Sequence, residues 1–164
     1  MKRNLARTLL VIISVATFCA GLVSTAHAED ESGCSTSTVA GRWAYTYTGT
    51  IFLPTGAVPV ATVGTYTQDT KGSFAASQNR SVGGTYAQET ATGTVTVNSD
   101  CTGTLNANVY QSGQLVRTAV IDLVFDNNRR HLRAIFQSAS LPDGTNLPVV
   151  ITIDGMRLST RHDD

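Results

Sequence analysis

Beyond residue 40 the chain alternates between two kinds of position. Trp43, Tyr45, Tyr47 and Ile51 share one face of an extended segment, and small or polar residues take the other. The same two-residue period returns after each break, while 3.6-residue stripes are hard to find. Pro54-Thr55-Gly56 ends the first segment. Val60 to Asp69 forms a second, and Asp69-Thr70-Lys71-Gly72 turns the chain. Ser73 to Asn79 is a third, carrying Phe74, and Gly83-Gly84 predicts a bulge or tight bend. Thr85 to Glu89 and Thr92 to Val97 read as two strands or one interrupted strand. Asn98-Ser99-Asp100 is a turn before a strand from Cys101 to Tyr110, which Gln111-Ser112-Gly113-Gln114 ends. Leu115 to Phe125 is the most apolar strand. Asp126-Asn127-Asn128 turns it back into His131 to Ala139. A loop begins at Leu141-Pro142-Asp143-Gly144, and Val149 to Leu158 is the last strand, with a frayed tail from Ser159 to Asp164.

These are eight or nine short strands joined by hairpin-like breaks, with no convincing helix. The spacing predicts an all-β domain, an antiparallel up-and-down barrel of about eight strands, in preference to an immunoglobulin-like sandwich. Closure removes the edge strands that would otherwise invite aggregation.

The first 28 residues follow another logic. Met1 to Arg7 is basic, Leu9 to Val23 is mostly apolar, and Ala26-His27-Ala28 has the form of a cleavage site. The apolar run of about 15 residues is short for a span of roughly 20. Residues 1–28 are therefore expected to be a signal peptide, and 29–164 the barrel domain, secreted or periplasmic. The leader holds Lys2, Arg3 and Arg7, which leaves nine basic and twelve acidic residues in the mature chain, a net charge of −3. That balance exerts no general pull on nucleic acid or anionic lipid. The one basic cluster, Arg129-Arg130-His131-Leu132-Arg133, reads as a solvated hairpin end. An exported chain with two remaining cysteines, Cys34 and Cys101, points to a disulfide; two zinc ligands are the alternative, without any C-x-x-C or nearby histidine pair.

Gly41-Arg42-Trp43, at the start of the first strand, and Gly155-Met156-Arg157, near the end of the last, resemble features of the lipocalins and related calycins. The cyclase and dirigent barrels of plants are similar in size and strand count. The calycin resemblance implies that Trp43 plugs one end and that Arg157 covers its indole by a cation–π contact of about 0.5–2 kcal/mol. The alternative is that Trp43 is one core aromatic among others.

No catalytic signature appears: no G-x-S-x-G, no H-E-x-x-H, no phosphate loop, no dinucleotide fingerprint. The mature chain has two histidines, His131 and His162. No cofactor and no metal site are expected, and an enzymatic role is the less favoured reading. Asp122 lies in Ala119-Val120-Ile121-Asp122-Leu123-Val124-Phe125 and shares a face with Val120 and Val124. It is either solvated outside or paired in a cavity, because an unpaired buried charge is too costly. Arg117 must then point to the opposite side. His131, Arg133, Ile135 and Gln137 form a mixed face that is either an exposed stripe or a pocket wall. Tyr45, Tyr47, Tyr66, Tyr86 and Tyr110 lie on several strands, where they could line a lumen. The candidate ligand-binding residues are Tyr45, Tyr47, Tyr66, Asp122, His131 and Arg133; Trp43, Arg157, Cys34 and Cys101 are structural. Asn79-Arg80-Ser81 is a glycosylation sequon, expected to stay unmodified. The favoured function is binding of a small, partly apolar molecule. The alternatives are a cofactor-free cyclase-type barrel and a packed barrel acting through its surface, its lumen filled by Trp43, Tyr47, Phe74 and Phe136.

Overall fold

The computed structural model describes residues 33–159, so residues 1–32, with the expected signal peptide, and residues 160–164 lie outside the described residues. Eight strands run in chain order: β1 (Gly41–Leu53), β2 (Gly56–Gln68), β3 (Ser73–Val82), β4 (Thr85–Val97), β5 (Thr102–Gln111), β6 (Gln114–Phe125), β7 (His131–Ser140) and β8 (Val149–Arg157). Each pairs antiparallel with the next, and β1 pairs with β8, from Trp43 opposite Arg157 to Ile51 opposite Val149. The result is a closed antiparallel barrel.

One expectation is corrected. Thr85–Glu89 and Thr92–Val97 are one continuous strand, because Thr90 and Ala91 keep ladder partners in Ser77 and Ala76. Of the two alternatives for Gly83-Gly84 the tight bend is the one observed: a two-residue hairpin loop between the paired Val82 and Thr85, with both glycines at positive φ (54° and 87°), the backbone such loops require. The bulges lie elsewhere. One, between Val109 and Tyr110, marks the β5–β6 pairing. The other, between Val120 and Ile121, pairs Ile121 with Phe136 and Val120 with Ser138, so that Gln137 is the extra residue. It re-phases β7: Leu132, Ala134 and Phe136 face inward on even numbers, then Ala139 on an odd one.

One end of the barrel is closed by the chain entering β1. Cys34 is bonded to Cys101, which anchors residues 34–40 across a sequence separation of 67. Val97 N–H donates to Thr36 Oγ1 (3.0 Å) and Gln68 Nε2 to Thr36 O (3.1 Å), tying the segment to two more strands. Val39 and Trp43 are fully buried. The Trp43 indole donates to Val39 O (3.1 Å), stacks on Tyr66 (5.9 Å between centroids, 3° between planes) and meets Phe125 edge-on (5.5 Å). Arg157, opposite Trp43, donates to Thr38 O (3.2 Å) and Ala40 O. The plug expected from Gly41-x-Trp43 is thus built mainly from segment 34–40. Tyr66 stacks on the indole, and the Arg157 guanidinium, beside Trp43 in register, satisfies carbonyls of the incoming chain.

Candidate functional site

The middle of the barrel holds a buried polar layer whose position follows from register. Tyr45, Gly64, Gln78 and Glu89 stand side by side on β1, β2, β3 and β4. Gly64 has no side chain, and the Tyr45 ring occupies that space: a Cβ there would sit 2.9 Å from Tyr45 Cζ and 2.6 Å from Ser77 O. Tyr45 O–H therefore reaches across β2 to Gln78 Oε1 (2.7 Å). Gln78 Nε2 donates in turn to Glu89 Oε2 (2.7 Å) and Tyr47 Oη (3.3 Å).

Glu89 is the centre of this layer, and its side chain is fully buried. Arg117 binds it bidentately, Nη1 to Oε1 at 2.7 Å and Nη2 to Oε2 at 2.6 Å, and also approaches Tyr47 Oη (3.4 Å). Arg80 adds Nε and Nη2, each 2.8 Å from Oε1. Burial would raise the Glu89 pKa, but the hydrogen bonds and charge of Arg117, helped by Gln78 and Arg80, outweigh it and hold the carboxyl below its usual value. Burial likewise opposes the Arg117 charge, and Glu89 reverses the balance, so its pKa rises. Tyr45 and Tyr66 are pushed well above the ordinary tyrosine value, chiefly by burial, and stay neutral.

Between this layer and the plug lies a cavity of about 60 Å³. Tyr45, Tyr47, Tyr66 and Phe74 contribute aromatic walls, Leu105, Ile121 and Leu132 aliphatic ones, and Gln78 and Arg117 the polar side. Tyr66 touches both regions, packing on Phe74 (5.2 Å) and stacking on Trp43.

The predicted site residues separate into two groups. Tyr45, Tyr47 and Tyr66 point inward and line this cavity. Asp122, His131 and Arg133 are exposed on the outer face and do not line it. For these three the pocket-wall reading is corrected. Asp122 alternates with the inward Ile121 and Leu123 and shares its side with Val124, 54% exposed. His131 and Arg133 alternate with Leu132 and Ala134, which face in. Arg133 makes only an exposed approach to Asp154, 3.9 Å. Tyr86 is also outside, donating to Asn79 Oδ1 (2.9 Å).

Sequence reasoning missed Gln78, Arg80 and Glu89 as site residues. A signal was present: Gln78 and Arg80 continue the inward phase of Phe74 and Ala76, and Glu89 begins that of Ala91, Val95 and Val97. Cutting β4 after Glu89 placed this residue at a strand end, where a carboxylate looks solvated.

Among the described residues no helix is long and apolar enough to cross a membrane. The disulfide is of a kind that persists in oxidising compartments. No protein-family model matches the chain, and no curated protein sequence does. Solved structures do. EF1p2_mFAP2b bound to DFHBI is 11% identical with a TM-score of 0.52, the match covering 73% of this chain and 94% of that one. The redesigned barrel mFAP1 bound to DFHBI is 17% identical (TM-score 0.44, 73% and 94%). The S-type phycobiliprotein lyase CPES from Guillardia theta is 11% identical (TM-score 0.43, 74% and 89%). The likeness to the first is one of fold.

Proposed function

We propose that this chain is an exported small-molecule-binding barrel whose ligand enters the interior and lies against Tyr45, Tyr47 and Tyr66. The observation that carries the reading is a mainly apolar cavity of about 60 Å³ that ends on a buried, hydrogen-bonded polar layer. Apolar walls with a few fixed polar groups are what small-molecule sites consist of. A barrel of the same fold, EF1p2_mFAP2b, is bound to DFHBI, which supports small-molecule binding by such a fold. The basic, apolar and Ala26-x-Ala28 succession at the N-terminus and the Cys34–Cys101 bond support export to the periplasm or beyond.

The size of the cavity favours a second reading. Ordinary ligand pockets are about 300–1,000 Å³. A barrel filled to this extent by Tyr47, Phe74 and Phe136 could instead act through its surface. Titration separates the two. Trp43 stacks on Tyr66, a wall of the cavity, so its emission reports occupancy at one remove. A library of compact apolar and aromatic compounds should include members that bind saturably, one per chain, and shift Trp43 emission. Absence of saturable binding across the library would leave the packed, surface-acting barrel.

A further inference from the structure

The polar layer contains more positive charge, and more hydrogen-bond donors, than its own acceptors use. Arg80 and Arg117 share the single carboxylate of Glu89, so two guanidiniums face one anion and the layer carries a formal charge of +1. Glu89 is saturated: Oε1 takes Arg80 and Arg117, and Oε2 takes Gln78 and Arg117. The Tyr47 hydroxyl accepts from both Gln78 and Arg117, and among the described residues nothing accepts its own proton. Thr62 stands between Tyr47 and Arg80 in strand register. It is 6% exposed, and its hydroxyl has no hydrogen-bond partner among the described residues. Buried hydroxyls are rarely left so, since each unmade hydrogen bond is costly. Beside Tyr47 and Arg80 is a second small cavity, about 10 Å³, lined by these two, Arg117 and otherwise apolar side chains; Thr62 is the strand neighbour of both but not one of its walls.

We propose that this layer seats the negative end of the ligand, and that the ligand is a compact monoanion. A carboxylate, or a group of the same charge and shape, lies at Arg80, Thr62 and Tyr47. The apolar part occupies the larger cavity, which shares Tyr47, Arg117 and Phe136 as walls with the smaller one. The inference rests on the binding reading above and adds the ligand's charge and size. One negative charge cancels the excess of +1, whereas a neutral group leaves a guanidinium under-compensated in a poorly solvated place. Arg80 is the reachable cation: its side chain is 19% exposed, against 10% for Arg117 and none for Glu89. Compactness follows from volume. A cavity of about 60 Å³ is well below the roughly 150 Å³ that admits benzene without rearrangement, so the apolar part is a short branched chain, or a ring that displaces some wall.

Two acid–amide pairs of matched shape test this: isovalerate against isovaleramide, and benzoate against benzamide, titrated calorimetrically into the oxidised protein at neutral pH. The acid of a binding pair should bind about tenfold or more tightly than its amide, the worth of one charge-assisted hydrogen bond. It should also move the Arg80 Nε resonance in the NMR spectrum. Arg80→Gln should abolish that preference. Thr62→Val, which removes an unpartnered hydroxyl and keeps the side-chain volume, should weaken the acid severalfold, and it remains informative if Arg80→Gln fails to fold. Equal affinity of acid and amide, or a preference that survives both substitutions, overturns the anion seat and leaves the binding reading standing. Failure of all four compounds and of the wider library overturns both.

Discussion

At the disulfide end of the barrel, Trp43 is fully buried against Tyr66 and Phe125, and the incoming segment is bonded through Cys34 to Cys101. Farther along the same interior, Glu89 is equally buried but is surrounded by Arg80, Arg117, Gln78 and, through Gln78, Tyr45 and Tyr47. The first region is dominated by apolar area and a crosslink, terms that stabilise a fold whatever its function. The second is a buried ionic cluster, a poor stabiliser compared with apolar residues of the same volume. Small barrels can fill their interiors with side chains alone. A charged layer beside a cavity, in a barrel able to do without one, is what the proposed binding reading draws on.

That contrast is broken most severely by Glu89→Ala. It leaves two guanidiniums without their anion, so the loss should exceed the about 3–5 kcal/mol typical of breaking one buried pair. That reaches the lower end of ordinary domain stability, about 5–15 kcal/mol. Urea melts read it. Replacing Arg80, Glu89 and Arg117 together by methionine should recover much of the loss; no recovery would mean that the layer is itself a structural keystone.

At the other end, Trp43→Ala should cost about 3–5 kcal/mol, as large aromatic truncations in cores do. Arg157→Ala should cost about 1–2 kcal/mol. Both side chains hold the same few residues, Trp43 through Val39 O and Arg157 through the carbonyls of Thr38 and Ala40. The double variant should therefore cost less than the sum of the singles. Strict additivity in denaturant melts would show that segment 38–40 is not their common element.

A gentler perturbation is pH. The folded pKa of Glu89 lies below its unfolded value, so its contribution is complete above about pH 4.3 and is lost as pH falls through the folded value. The exposed turn carboxylates share this acid limb, Asp69 held low foremost by the Ser73 N–H and Asp100 foremost by Thr102. Glu89→Gln, if it folds, should remove only the polar layer's portion. Tyr45 and Tyr66 are raised, so their contribution is intact below about pH 10 and is lost as pH rises beyond it. Tyr45→Phe and Tyr66→Phe should each flatten the alkaline limb of a thermal-melt series; an unchanged limb would mean that these phenols are not the groups titrating.

The smallest effects belong to the outer face. Asp122→Asn and His131→Ala should each shift stability by no more than about 0.5 kcal/mol and leave ligand titrations unmoved. A change in ligand affinity in either would return the site to the surface.

The limits of the sequence reading show in particular residues. Tyr45 and Tyr47 on β1 could be assigned to a shared face because they alternate in a row with Trp43 and Ile51. Glu89 could not, because strand β4 looked broken beside it and a single strand does not reveal that Gln78 and Arg117 will converge on it from elsewhere. Gly64 was silent for the same reason: its role is the passage of the Tyr45 ring across β2, a relation between strands. Asp122 was ambiguous because a period of two states only that neighbours oppose one another, not which side is inside.

What the sequence determined by itself was local and periodic: the extended segments, most of their turns, the all-β class, the opposition of Arg117 to Asp122, and an anchored first strand. Those follow from side-chain alternation and turn chemistry, which act over a few residues. The closed barrel expected from the strand count and short breaks is the one observed; the register that closes it, the bulge that re-phases β7, the choice of inner face and the Glu89 cluster were decided by tertiary structure. They depend on the register of strands distant in sequence, and on the requirement that each charge taken into a barrel find its partners there.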